Sequence, residues 1–269
     1  MNRLEGKVII VTGSVTGIGK AIAKRCVHEG AKVILHGLER DLGEQTAIEL
    51  GATSTALLIE DLANEGVSER LVALAIEAFG KLDGVVNNAA LVTPGNVRDT
   101  DAAYFRRMLE INCVVPYLLV RAALPRLRET RGCVVNIGSV NAYSGEPNLM
   151  PYAVSKGALM TLTRNLGDTL HREDGVRVNQ INPGWVLTEN ETRRKREHGL
   201  ADDWYKDVPP VYAPAGRILL PEEIASCAAW LLADECGPIS GQVFDLEQYP
   251  FIGRNPPKDA ANVPPKPKA

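Results

Sequence analysis

Seven short runs of apolar, mostly β-branched residues recur along the chain, at 7–11, 32–35, 55–59, 84–86, 132–137, 176–181 and 242–246. Their hydrophobicity is continuous rather than alternating, which calls for burial on both faces of each strand. Strands buried on both faces belong to parallel sheets, and parallel neighbours are joined only through long crossovers. The segments 18–29, 41–50, 68–79, 102–127, 152–171 and 221–233 have the length and patterning of crossover helices. The expected fold class is therefore α/β, a seven-stranded parallel sheet, doubly wound and flanked by helices. With 45% hydrophobic residues in 269, the chain can bury the core this requires.

Two segments break the rhythm. The stretch 188–217 is charged and polar, carries Trp204, Tyr205 and Tyr212 among Pro209, Pro210 and Pro214, and reads as an excursion rather than a core element. The tail 251–269 is rich in proline and lysine and is expected to be extended or disordered. The domain expected is a single one over 1–250. A net charge of -3 and the lack of any long basic stretch argue against nucleic-acid or anionic-membrane partners. The one basic cluster, Arg193-Arg194-Lys195-Arg196, lies among Glu189, Glu191 and Asp202 and reads as a solvated helix face. No apolar run approaches the roughly 20 residues of a membrane span, and the N-terminus leads straight into a strand without a signal-like segment. Five scattered cysteines and four unpaired histidines show no metal-binding spacing, so reduced thiols, no metal and a cytoplasmic location are expected.

Directly after the first strand comes Thr12-Gly13-Ser14-Val15-Thr16-Gly17-Ile18-Gly19, and a helical pattern follows. Glycines at a strand-to-helix turn allow a tight bend and let backbone amides approach a pyrophosphate, while the helix N-terminus stabilises its charge. This makes the chain a candidate Rossmann-type nucleotide binder. Tyr152 and Lys156 sit four residues apart on a predicted helix, hence on one face. A nearby ammonium favours the phenolate and lets a tyrosine exchange protons at working pH.

Together the TGxxxGxG turn and Tyr152-x-x-x-Lys156 resemble the short-chain dehydrogenase/reductase family, and the resemblance runs from about residue 7 to 248. It implies an NAD(P)-dependent oxidoreductase interconverting a secondary alcohol and a carbonyl by hydride transfer. It implies catalytic roles for Asn112, Ser139, Tyr152 and Lys156: Ser139 on the substrate oxygen, Tyr152 as acid or base, Lys156 on the nicotinamide ribose and the phenolate, and Asn112 holding a relay water. Cofactor contacts are implied for Gly13, Ser14, Thr16, Gly17, Ile18 and Gly19 in the turn, and for Asp61 and Leu62 beside adenine. Asn88, Ala89 and Ala90 follow the fourth strand; Pro183, Gly184, Val186 and Thr188 match PGxVxT near the carboxamide. Read without the family, Asp61 is equally a helix N-cap.

At the end of the second strand Gly37 and Leu38 take the places of the usual aspartate and arginine. Gly37 removes a carboxylate that would repel a 2′-phosphate, and Arg40 or His36 offers charge, so the balance leans slightly to NADP over NAD. Ser139, Asn141, Trp185 and Tyr205 are the candidate substrate contacts, with Tyr143 and Glu146 polar enough to join them. Aromatics beside carboxamides and charges favour a sugar or polyol over a 3-oxoacyl thioester, and a non-catalytic nucleotide-sensing protein is the rival from another class. The resemblance also implies a homo-oligomer, a tetramer. Where the family usually ends its last strand on Asp-Gly-Gly, this chain has Glu247-Gln248-Tyr249, and the segment 249–254 is expected to shape a pocket of its own or another subunit.

Overall fold

The computed structural model describes residues 2–143, 146 and 148–250. The sequence expectations for the tail 251–269, including the pocket role given to 251–254, lie outside the described residues.

The strands are β1 (Val8–Val11), β2 (Lys32–Gly37), β3 (Thr55–Ile59), β4 (Gly84–Asn87), β5 (Cys133–Ile137), β6 (Arg177–Pro183) and β7 (Val243–Leu246). They form one sheet in the order β3-β2-β1-β4-β5-β6-β7, parallel at every pairing. The winding reverses between β1 and β4, and an open α/β sheet has its ligand crevice outside the strand ends at that point.

Alternation within each strand feeds two cores. Ile9 and Val11 of β1 join Ile22, Ala23 and Cys26 of α1 (Gly17–His28) and Ile224, Ala225 and Ala228 of α8 (Pro221–Leu232). Val8 and Ile10 point the other way, into Leu71 and Ala75 of α3 (Val67–Phe79), Leu119 and Ala123 of α5 (Val115–Thr130), and Leu170 of α6 (Met150–Asp174). Burying each such Leu or Ile contributes roughly 1.5–3 kcal/mol. The remaining helices are α2 (Arg40–Leu50), α4 (Ala102–Leu109) and α7 (Glu189–Glu197).

Three expectations change. Burial on both faces fails at the sheet edges, where β3 and β7 are mostly half-buried because each has a strand on one side only. The helix expected over 102–127 is α4 and α5 joined through a π-turn, Glu110–Val114. Together they make a continuous Ala102–Thr130 helix, one 18-residue stretch of which has a mean hydropathy of 1.4, so a helix of membrane-spanning length and apolarity does exist. In this fold its buried Leu119, Val120, Ala123 and Leu127 pack on the sheet.

Candidate active site

The glycine turn is held open by its neighbours. Gly13 and Gly17 adopt φ of +61 and +52, backbone that favours glycine. Gly19 has no room for a side chain, since a Cβ there would lie 2.1 Å from the Gly13 carbonyl oxygen. Asn88 ties the turn to β4: its Nδ2 donates to the carbonyls of Thr12 (2.9 Å) and Gly13 (3.0 Å), while the amides of Asn88 and Ala89 donate to Thr12 Oγ1. Thr16, the N-cap of α1, has no side-chain capping bond, so its hydroxyl remains available beside the turn. The Gly17 amide donates to a Glu189 carboxylate oxygen at 3.2 Å. A negatively charged oxygen thus already sits where a helix N-terminus receives a phosphate, which shows that the cradle fits an anion. Ser14 departs from the expected set. It is fully buried and its hydroxyl is turned onto β2, accepting from the His36 amide at 2.9 Å.

The adenosine end corrects the charge expected of His36. The ring is 2% exposed, its Nε2 donates to the Glu60 carbonyl at 2.9 Å, and its Nδ1 accepts from the Gly13 amide at 3.2 Å. These partners define the neutral imidazole, and burial pushes its pKa below the ordinary value. Gly37 is small for a packing reason, because a Cβ would lie 2.5 Å from a Val15 methyl. Leu38 is 62% exposed, and the well-exposed Arg40 stands 3.4 Å from Glu44. Asp61 closes a turn rather than capping a helix: one oxygen accepts from the Ala63 amide (2.9 Å) and the other from Arg107 (2.8 Å). The Ala63 bond, followed by Arg107, holds its carboxyl below the usual range, and Leu62 beside it is buried.

At the C-terminal end of β5 the fold brings Ser139, Tyr152 and Lys156 together. Ser139 Oγ accepts from the Asn141 amide at 3.1 Å, and the Ser139 amide donates to Asn182 Oδ1 at 3.1 Å. Gly138 must be glycine, since a Cβ would lie 2.1 Å from that same Asn182 oxygen. The Lys156 ammonium is 2% exposed, donates to the Ile137 carbonyl at 2.7 Å and lies 5.7 Å from the Tyr152 ring centre. Burial pushes the Tyr152 phenol up to about 12, with hydrogen bonding to Ser139 pulling the other way. Burial likewise pushes Lys156 down to about 8. Desolvation, not the lysine charge, therefore dominates the phenol, the reverse of the simple expectation from the Tyr152/Lys156 spacing.

Asn112 lies in the π-turn, 1% exposed. Its Oδ1 accepts from the Leu91 amide (2.7 Å), and its Nδ2 donates to the Leu91 carbonyl (2.9 Å) and Ser155 Oγ (2.9 Å). The side chain is held by these protein partners, and its Oδ1 keeps a second lone pair beyond the Leu91 amide. Tyr143 hydrogen-bonds to Asp245 and Asn182, and Glu146 is exposed.

Over the strand ends lies the 188–217 excursion. Thr188 Oγ1 caps α7 by accepting from the Glu191 amide at 3.1 Å. Val186 bridges to Leu219. Trp185 stacks on Trp204 with ring centres 5.2 Å apart, and Tyr205 meets Trp204 edge-on. The atypical end of β7 holds this excursion down: Glu247 accepts from the Trp185 amide, and Gln248 accepts from the Ala215 amide and donates to the Arg217 carbonyl. Neither anchor was anticipated from sequence, although their departure from Asp-Gly-Gly was the available signal.

Comparison with known proteins places these motifs in context. Residues 13–247 match a family model described as enoyl-(acyl carrier protein) reductase. The chain is 34% identical to 2-(S)-hydroxypropyl-CoM dehydrogenase 3 of Xanthobacter autotrophicus, across 91% of this chain and 97% of that protein. It is 35% identical to L-fucose dehydrogenase of Bos taurus, across 86% and 85%. It is 32% identical to the NADP-dependent (R)-specific alcohol dehydrogenase of Lentilactobacillus kefiri, across 91% and 97%.

Proposed function

The chain belongs to the short-chain dehydrogenase/reductase family, and from that premise we propose that its substrate is a sugar or polyol handled at one secondary alcohol. It is an NAD(P)-dependent oxidoreductase acting on a CH–OH group. The observation that carries the substrate-side reading is the meeting of the Ser139 and Tyr152 hydroxyls above a lysine locked to Ile137.

In this reading Gly13, Thr16, Gly17, Ile18 and Gly19 hold the pyrophosphate of the dinucleotide, and Asp61, Leu62, Asn88, Ala89 and Ala90 line its adenosine side. Lys156 takes the nicotinamide ribose, and Pro183, Gly184, Val186 and Thr188 the carboxamide. The bound nicotinamide supplies or accepts the hydride. The Asn141 amide occupies a lone pair of Ser139 Oγ and leaves the hydroxyl hydrogen for the substrate oxygen. Tyr152 Oη gives its proton to that oxygen in reduction and takes it back in oxidation. Its pKa near 12 keeps it protonated at neutral pH, the form reduction needs. Asn112, fixed in the π-turn by Leu91 and Ser155, holds in this reading the water that links Lys156 to solvent.

The preference for NADP rests on Arg40, since His36 carries no charge and no carboxylate stands at Gly37. The similarity to an NADP-dependent alcohol dehydrogenase supports it. The similarity to L-fucose dehydrogenase supports the sugar. A tetramer and a cytoplasmic location follow from family analogy alone. The test is nicotinamide absorbance with a panel of sugars, polyols and simple ketones, using both cofactors. Turnover of a sugar or polyol with NADP is expected; activity confined to 3-oxoacyl thioesters would replace the substrate.

A further inference from the structure

A helix laid against a protein normally offers an apolar stripe to it. α7 has none to offer, since its sequence, ENETRRKRE, is polar throughout. The phase of the helix sorts the basic cluster. Arg193 and Arg196 face solvent, held by Asn190 and Asp202. Glu191, Arg194 and Lys195 turn inward.

One carboxylate there serves two cations. Glu191 Oε2 pairs with Arg194 at 2.6 Å, while Oε1 accepts from Trp185 Nε1 at 2.9 Å and stands 3.7 Å from the Lys195 ammonium. Lys195 lies over the Trp185 and Trp204 rings, 4.9 and 5.4 Å from their centres. Arg194 Nε is buried and has no acceptor. Of the neighbouring carboxylates, Glu189 accepts from the Gly17 amide and Glu247 from the Trp185 and Gln248 amides, while Asp202 pairs with Arg196 and Asp203 with Lys206. On α7 itself one carboxylate, Glu191, thus faces two cations, and one guanidinium donor is unfilled. Glu191, which holds Arg194, is hydrogen-bonded to Trp185 in the 183–188 segment, so the guanidinium lies on the nicotinamide side of the crevice rather than at the adenosine end.

We propose that the substrate carries an oxyanion, a carboxylate, sulfonate or phosphate, which the Arg194 guanidinium receives while the alcohol carbon lies at Tyr152, with Lys195 adding a second positive charge. Arg194 is then a specificity residue, and the substrate a hydroxylated acid. The inference rests on the sugar or polyol reading and narrows it. Guanidinium suits the task because its planar edge matches an oxyanion and it never deprotonates.

The test uses matched substrate pairs that differ only in one terminal group, such as an alditol and its aldonate, alongside sulfonate and phosphate counterparts. The wild-type protein is expected to favour the anionic member in kcat/KM by about 10- to 100-fold, the range of a charge-assisted hydrogen bond. Whichever oxyanion gives the largest ratio identifies the group. Arg194→Gln is expected to bring the ratio close to one through the KM of the anionic member. Arg194→Lys should restore part of it, and Lys195→Met should lower it by a smaller factor. Cofactor affinity, read by fluorescence titration, should be unchanged in Arg194→Gln, and a thermal melt confirms folding. A wild-type ratio of one or less, or a ratio that survives Arg194→Gln, overturns the proposal. So does weakened cofactor binding in Arg194→Gln, which would assign the guanidinium to the pyrophosphate. Turnover of neutral members alone removes this inference and leaves the oxidoreductase reading standing, whereas no turnover of any member removes both.

Discussion

Lys156 of α6 donates its ammonium to the carbonyl of Ile137, the last residue of β5, at 2.7 Å. The bond fixes the charge two residues from Ser139 and deep enough to bring its pKa down to about 8. The fold therefore holds a cation where water cannot solvate it, which costs stability in exchange for placement. A depressed lysine contributes stability that is present above its ordinary pKa of 10.5 and lost as pH falls through 8. Tyr152 has the opposite sign: raised from 10 to about 12, its contribution is lost only as pH climbs beyond 10.

Between pH 8 and 10 the buried thiols act in the opposite direction, because burial raises Cys26, Cys133 and Cys227 above their ordinary value of 9. The lysine is therefore isolated by difference: the melting temperature of wild type relative to Lys156→Met is expected to rise across this window. Lys156→Met should be more stable than wild type at pH 7, by up to about 3 kcal/mol, while losing turnover. A variant less stable than wild type at pH 7 would show that the Ile137 bond outweighs desolvation.

Gly184 and Glu247 are coupled through space. A Cβ on residue 184 would lie 1.8 Å from Glu247 Oε2, the oxygen that accepts from the Trp185 amide. Gly184→Ala is expected to cost roughly 1–3 kcal/mol by overpacking. In a Glu247→Ala background the cost should shrink by half or more. Urea titration of the four proteins reads the coupling, and strictly additive costs would separate the two residues.

His36 and Arg40 make different predictions for the cofactor. The neutral ring of His36 supports the Gly13 amide, so His36→Leu leaves that buried donor unpaired and should destabilise the fold by about 1–3 kcal/mol. It should leave the ratio of NADP to NAD affinity unchanged. Arg40→Ala should weaken NADP alone, by about 3- to 10-fold for an exposed charge. The depressed pKa of His36 adds a pH signature: wild-type stability falls as pH drops below the ordinary histidine value of 6.5, and His36→Leu removes that part of the slope. Calorimetric titration with each dinucleotide and melts from pH 5 to 7 check both.

Much of this architecture was legible because it depends on local pattern. Continuous runs such as 7–11 and 55–59 reported parallel strands, and the glycine turn and the Tyr152/Lys156 spacing reported the site. What escaped depends on three-dimensional neighbours. The π-turn at Glu110–Val114 has the same composition as an α-helical turn, so nothing local marks it. In an all-polar helix no apolar stripe sets the phase, so Arg194 and Lys195 could not be told from Arg193 and Arg196. The neutrality of His36 follows from Gly13 and Glu60, residues distant in sequence. Spacing likewise put Lys156 beside Tyr152 but could not weigh attraction against burial, and burial won.

The central claim is that Tyr152 moves the proton while the hydride moves. Tyr152→Phe removes one oxygen from a buried ring and leaves the glycine turn untouched. Steady-state turnover of the best panel substrate, measured together with dinucleotide affinity, tests the claim most directly. The account predicts a fall in kcat of about 10²- to 10⁴-fold with cofactor affinity unchanged; turnover within a few-fold of wild type would contradict it.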